Sequence, residues 1–258
     1  MNLRIILLVL MYVCAFQPGA HAQQALQQKA FGVGERLVFD VGYGFITAGE
    51  AVMSIPGIET VAGKECYKVM FTVRTTRTFD FFFEVRDRYE TYLDVAGIFP
   101  RRFEQHIKEG SYKRDFSAQF DQENGIARTT EGNFPIPLYV HDIMSAFYFA
   151  RTIDYSKKRI GDRVQLQNFY KDKTFPLEVK FLGRQKIKVD AGEFNCIIVE
   201  PMVKEGGLFK AEGRILIWLS DDDLKIPVKV STKVPIGSID SELREYSGLR
   251  GELKAKVK

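Results

Sequence analysis

Between Tyr112 and Phe120 the chain places Tyr112, Arg114, Phe116, Ala118 and Phe120 at every second position, with Lys113, Asp115, Ser117 and Gln119 between them. A period of two sends successive side chains to opposite faces of an extended strand, so the segment predicts a sheet with one dry face and one wet face. The same alternation, broken by turn residues every roughly eight to twelve positions, starts at Glu35 and reads as antiparallel β structure. Strands are expected at Arg36 to Tyr43, Phe45 to Ser54, Cys66 to Thr75, Phe83 to Leu93, Arg101 to Ile107 and Tyr112 to Phe120. Further strands are expected at Arg163 to Phe169, Leu177 to Leu182, Cys196 to Met202, Gly213 to Leu219 and Pro227 to Thr232. The tail Leu253 to Lys258, with Lys at alternate positions, reads as a fraying last strand.

One segment departs from this rhythm. After the extended Phe134-Pro135-Ile136-Pro137, residues Asp142 to Arg151 hold no Gly or Pro and are apolar almost all round, and Asp142 stands where a helix N-cap belongs. The expected fold is therefore mainly β, with an antiparallel sheet packed on a central buried helix that separates two strand-rich halves. The Ala62-Gly63 and Ala191-Gly192 pairs, each followed by a strand that carries Cys66 or Cys196, read as a shared hairpin design rather than a duplication.

With 45% apolar and 27% charged residues in 258, the chain is neither disordered nor fibrous. A formal charge of +4 is too small for a nucleic-acid binder. All-β domains reach about 250 residues undivided, so residues 31–258 are expected to form one domain after a polar lead-in at 23–30.

The first 22 residues have the parts of a signal peptide: a basic start at Met1 to Arg4, an apolar run from Ile5 to Phe16, and small residues at Ala20-His21-Ala22. The run is shorter than the roughly 20 residues a membrane-spanning helix needs, and no later stretch is long and apolar enough, so cleavage after Ala22 and export are expected, with no transmembrane segment left. A lipoprotein reading of Cys14 is disfavoured by Tyr12-Val13, where small residues belong. Cys66 and Cys196 then remain, and two unpaired core thiols are favoured over one disulfide because both sit in apolar strands.

No nucleophile elbow, zinc-protease helix, phosphate-binding loop or dinucleotide fingerprint occurs, so neither a catalytic site nor a cofactor is expected. His106 and His141 are favoured as structural over general bases, although paired carboxylates suited to hydrolysis stay open as an alternative. Ser220-Asp221-Asp222-Asp223 reads as a solvated turn rather than a Ca²⁺ site, and no metal is expected.

Two clusters bear on binding. Phe79-Asp80-Phe81-Phe82-Phe83 would project rings from both faces of an extended strand, one into the core and the other toward the helix, a partner or a lipophilic ligand. Arginines crowd the stretch from Arg74 to Arg114, and although pairing with the acids between them is the favoured explanation, arginine also suits phosphate and carboxylate. The binding expectation is an apolar groove lined by Phe79, Phe81, Phe83, Phe147 and Trp218, with Arg86, Arg88 and Arg102 as anion contacts at its rim, holding a lipid or glycolipid. The rival expectation is a structural envelope protein with a filled core and a protein partner; an envelope hydrolase ranks third.

Several stretches together resemble the domain-of-unknown-function 3108 family. They are Gly34-Glu35-Arg36-Leu37-Val38-Phe39 with Gly44 to Gly49, Asp142 to Arg151, Ala191 to Cys196, Gly213 to Asp222, and Pro227 to Val230. The resemblance implies an exported envelope protein of Gram-negative bacteria, periplasmic or associated with the outer membrane. It further implies a curved antiparallel sheet, a half-barrel or open barrel similar to periplasmic lipoprotein carriers. It carries no established activity and no site residues.

Overall fold

The computed structural model describes residues 28–203, 213–235 and 237–257; the expected signal peptide lies outside them. Fourteen strands form one antiparallel sheet in the order β8-β7-β6-β5-β4-β3-β2-β1-β14-β13-β12-β11-β10-β9. The first eight are β1 (Arg36–Tyr43), β2 (Ile46–Val61), β3 (Lys64–Thr75), β4 (Arg86–Asp94), β5 (Pro100–Glu109), β6 (Tyr112–Asp121), β7 (Ile126–Thr129) and β8 (Gly132–Pro135). The second run is β9 (Arg163–Tyr170), β10 (Lys173–Val189), β11 (Gly192–Val203), β12 (Ile215–Ser220), β13 (Pro227–Lys233) and β14 (Ser238–Ser247). Each run is a meander whose neighbours in sequence are neighbours in space, and the first and last strands of the domain, β1 and β14, join the two.

Among the described residues two helices interrupt the strands: a single turn, α1 (Arg77–Asp80), and α2 (Ile143–Arg151). Asp142 caps α2 as its sequence position predicts, its carboxylate accepting from the Met144 and Ser145 amides at 2.7 and 2.8 Å. The helix packs inside the curve of the sheet against β4 and β9. The sheet bends round without closing, since β8 and β9 do not pair. The gap is bridged instead by the chain just before α2, where the His141 amide donates to the Gln167 carbonyl at 2.8 Å and the Phe169 amide to the His141 carbonyl at 2.7 Å. Phe120 and Phe134 also lay their rings against Phe169 across this seam.

Two strands run past their expected ends. Pro56-Gly57 and Gly183 suggest turns, yet each lies within a continuing strand, where the register shifts between Ser54 and Gly57 and between Phe181 and Gly183. A bulge absorbs residues that pair badly and bends the strand, which a sheet curling round a helix requires. Three strands escape the sequence pattern altogether: the four-residue β7 and β8, and the mostly polar β14.

Turns fall alternately at two ends of the sheet. At one end lie the start of β1, the hairpin Ala62-Gly63, the β12–β13 connection and the C-terminus of α2; this end is solid. Phe31 packs edge-on to Tyr148 at 4.8 Å and to Tyr67 at 5.8 Å. Arg151, with no exposed surface, donates to both Glu35 carboxylate oxygens at 2.7 Å and to the Ala30 and Leu224 carbonyls. Residues 28–30 are thus not a loose lead-in: Gln28 and Ala30 are buried, held by Arg151, Arg250 and the Phe31 backbone. The tail is not a strand either. It straps the start of β11, with the Asn195 amide donating to the Ala255 carbonyl and the Val257 amide to the Glu193 carbonyl. Cys66 and Cys196 are free and buried on separate strands, and burial pushes their thiols up to about 11 and about 12.

Candidate functional site

At the other end the interior is hollow. A cavity of about 380 Å³ lies between the sheet and α2. Phe39, Met53, Phe71 and Phe103 wall it from the first meander, Leu177, Val199 and Ile217 from the second, and Met144, Ala146 and Phe147 from the helix. The period of two explains the lining: on β12, Ile215, Ile217 and Leu219 face in; on β6, Arg114, Phe116 and Phe120 do.

A few polar groups interrupt this apolar wall. Asp142 is fully buried, and besides capping α2 it accepts from the Thr91 hydroxyl at 2.6 Å; burial pushes its carboxyl up to about 6. Asp87 is buried too and accepts from the Lys108 amide at 3.1 Å, with burial raising its carboxyl to about 6. Arg114 lies 5.1 Å over the Phe116 ring and Lys171 5.3 Å over the Tyr170 ring, and neither makes an ion pair among the described residues. Asp87, Arg114 and Lys171 all sit where β4, β6 and β10 begin, at the hollow end.

Of the residues expected to line a groove, Phe147 alone reaches this cavity. Trp218 alternates with Ile217 and Leu219 and therefore faces the opposite side of the sheet, its indole donating to the Gln185 side-chain carbonyl at 2.9 Å. The Phe79–Phe83 stretch is not extended: Thr76 accepts from the Phe79 and Asp80 amides to form the turn of α1. Asp80 fastens that turn, taking two hydrogen bonds from Arg86 at 2.6 and 3.0 Å and one from the Thr75 hydroxyl at 2.5 Å. These bonds, Arg86's first, hold the Asp80 carboxyl below its ordinary range. As a result Phe81 and Phe82 stand 88% and 76% exposed, Phe83 is also exposed, and Phe79 is half-buried.

The three expected rim arginines lie away from the cavity. Asp87 and Tyr89 point in, so Arg86 and Arg88 point out; Phe103 and Gln105 point in, so Arg102 points out. Each is paired: Arg86 with Asp80, Arg88 with Glu90 at 3.2 Å, and Arg102 with Glu104. Arg88 and Arg102 pair two positions along their own strands rather than across them. The cations that do line the cavity, Arg114 and Lys171, were not singled out from sequence. For Arg114 the signal was present: it is the one charge on the otherwise apolar face of β6.

The two histidines part company. His106 hydrogen-bonds Asp115 at 2.6 Å on the outer face. His141 is buried beside Ser145 at 3.3 Å, and burial lowers its ring to about 4, but neither residue lines the cavity. In the acidic turn Asp222 is committed structurally, accepting from the Ser220 hydroxyl and from the Leu224, Lys225 and Ala255 amides. Among the described residues no cluster of three metal-ligating side chains occurs, and no helix is long and apolar enough to cross a membrane.

A helix-plugged open sheet with this strand order can be compared with known proteins. Residues 38–244 match the family model described as a protein of unknown function, DUF3108. The chain belongs to that family. Among solved structures, this DUF3108 chain is similar to a β-barrel-like protein of the domain of unknown function DUF1849 from Brucella abortus, with a TM-score of 0.54 at 11% identity over 85% of this chain and 98% of that one. That likeness shows a shared β-barrel-like fold. A proposed lipoprotein from Parabacteroides distasonis is more distant, with a TM-score of 0.38 at 11% identity over 87% of the DUF3108 chain and 99% of the other. No curated protein matches the sequence.

Proposed function

We propose that this DUF3108 protein is an exported, non-enzymatic binder that carries a lipophilic ligand between its sheet and α2. The observation that carries the reading is the cavity: about 380 Å³, walled by apolar side chains from both meanders and the helix. That volume falls within the roughly 300–1,000 Å³ of small-molecule sites, which are mostly apolar with a few placed polar groups. Arg114 and Lys171, without an ion pair among the described residues, bring positive charge to the lining, so a ligand with an acyl body and an anionic head fits better than a neutral hydrocarbon. Export rests on the signal-like Met1 to Ala22.

The test is native mass spectrometry of the protein purified gently from its own cell envelope, followed by organic extraction. A stoichiometric lipid is expected, and Ala146→Phe, which places a ring in the cavity, should abolish it while the protein stays folded. A clean apo mass from the parent protein would overturn the reading in favour of a structural role.

A further inference from the structure

The hollow end carries a second feature. The β1–β2, β3–β4, β5–β6, β7–β8, β9–β10 and β13–β14 connections all lie there, because β1 and β14 pair with Tyr43 opposite Ile239. Of the thirteen large hydrophobic side chains exposed among the described residues, eight stand at this end. Tyr43, Phe45, Ile46 and Ile239 form one group around the β1–β2 turn, where Tyr43 pairs with both Ile46 and Ile239. Phe81, Phe82, Phe83 and Tyr112 form the other, with the Phe81 and Phe82 rings edge to face at 5.4 Å and Phe83 lying against Gly110 of the β5–β6 turn. Phe45 is wholly exposed. At the opposite end Phe31, Tyr67, Phe99 and Tyr148 are buried, and Tyr139, packed on Phe99, is the exposed ring.

Charge is distributed to match. On these turns the acids Asp80 and Glu84 are neutralised by Arg86 and Lys108. Arg77, Lys113, Arg114, Lys171, Lys173 and Lys233 make no ion pair among the described residues, against Asp87, Glu109, Glu131 and Asp172 as acids without one. Aromatic tips rimmed by free cations suit the boundary between lipid headgroups and acyl chains, where apolar rings enter and Lys and Arg meet anionic lipid. A protein partner fits less well, because a stable interface needs a contiguous patch of about 800 Å² on each side, whereas these side chains crown separate turns.

We propose that the hollow end docks on an anionic lipid bilayer, with Phe45, Ile46, Phe81 and Phe82 entering the surface and the unpaired cations holding headgroups. This goes beyond ligand carriage and does not depend on the cavity being occupied. It also places the cavity lining at Asp87, Arg114 and Lys171 on the side that would face the membrane.

The experiment is flotation of the purified protein with vesicles of phosphatidylcholine alone and of phosphatidylcholine with phosphatidylglycerol. The protein should float with the anionic vesicles, less so as salt is raised. Phe45→Ser with Phe81→Ser and Phe82→Ser should weaken flotation by more than about tenfold, equivalent to about 1.4 kcal/mol, without changing the melting temperature. Lys171→Glu with Lys173→Glu should weaken it on anionic vesicles only. No flotation with either vesicle, or undiminished flotation of the triple variant, overturns the proposal. A triple variant that still floats but loses a cross-linked envelope protein assigns the patch to a protein partner instead. A stoichiometric extracted lipid in a protein that ignores vesicles sinks docking and leaves the carrier reading standing.

Discussion

The two ends of the sheet differ in what they do with the same residue types. At the solid end Phe31, Tyr67 and Tyr148 pack edge to face and are buried, and the charge among them, Arg151, is fully satisfied by Glu35 and two carbonyls. At the hollow end Phe45, Phe81 and Phe82 face solvent, and Arg114 and Lys171 make no ion pair among the described residues. A fold holds itself together where rings and charges find partners inside the chain. Where they are left without partners the sequence carries a cost that folding does not explain, and binding is the natural account.

The strongest way to break this contrast is at Arg151. Arg151→Met removes the cation paired with Glu35, leaving a carboxylate that is 1% exposed without its partner. Breaking a buried pair from one side costs about 3–5 kcal/mol, and urea unfolding should show a loss of that size. Because the Ala30 carbonyl loses its donor too, residues 28–31 should become open to proteolysis. The double variant Arg151→Met with Glu35→Met should recover much of the loss, since no charge is then stranded. A single-variant loss under about 1 kcal/mol would mean that the solid end is not what anchors the sheet.

The next test lies on α2, which spans the two ends. Asp142 carries its proton to about pH 6 when folded, but unfolded it releases it in the ordinary carboxylate range; its contribution therefore favours folding at low pH and is lost as pH rises between about 4 and 6. His141, lowered to about 4, has the opposite slope: it resists protonation in the fold, so stability is lost as pH falls from about 6.5 toward 4. Asp142→Asn keeps an oxygen for the Met144 and Ser145 amides and removes the titration, a linkage worth at most about 3 kcal/mol. Melts of the variant across pH 4 to 7 should therefore drop more steeply on acidification than those of the parent protein, with stability at pH 7 unchanged or raised. An unchanged profile would show that the carboxyl titrates normally and that the helix start is wetter than its burial implies.

How far the sequence reveals this contrast depends on which face a residue takes. β1 matches its expected bounds, and α2 and its cap match as well, because alternation and an N-cap are local signals. β14 was not visible: its outward Asp240, Glu242 and Arg244 find Lys229, Asp40 and Glu50 only after β1 and β13 are alongside, and a strand built on such pairs has no apolar period to read. The strand that joins the meanders is thus the least legible one. The binding residues failed for a related reason. Phe79–Phe83 stood out by composition, but a ring cluster reads the same whether it fills a core or crowns a turn. Asp80 decides between these through its bonds to Thr75 and Arg86, and those bonds are spatial. Arg114 was legible in principle, being a lone charge in phase with Phe116 and Phe120, whereas Lys171 enters the cavity lining only because β9 and β10 turn at the hollow end.

The smallest expected effect sharpens the contrast most. Phe81→Ser with Phe82→Ser removes two rings that bury little, so unfolding free energy should move by no more than about 0.5 kcal/mol, the range for surface positions. Phe31→Ala at the solid end removes one ring with no exposed surface and should cost about 3–5 kcal/mol. Measured side by side in urea, the pair asks whether the chain keeps its aromatic residues for stability or for contact. A loss above about 1 kcal/mol from the serine pair would mean that these rings support the Thr75–Asp80–Arg86 turn, and their exposure would then need no partner to explain it.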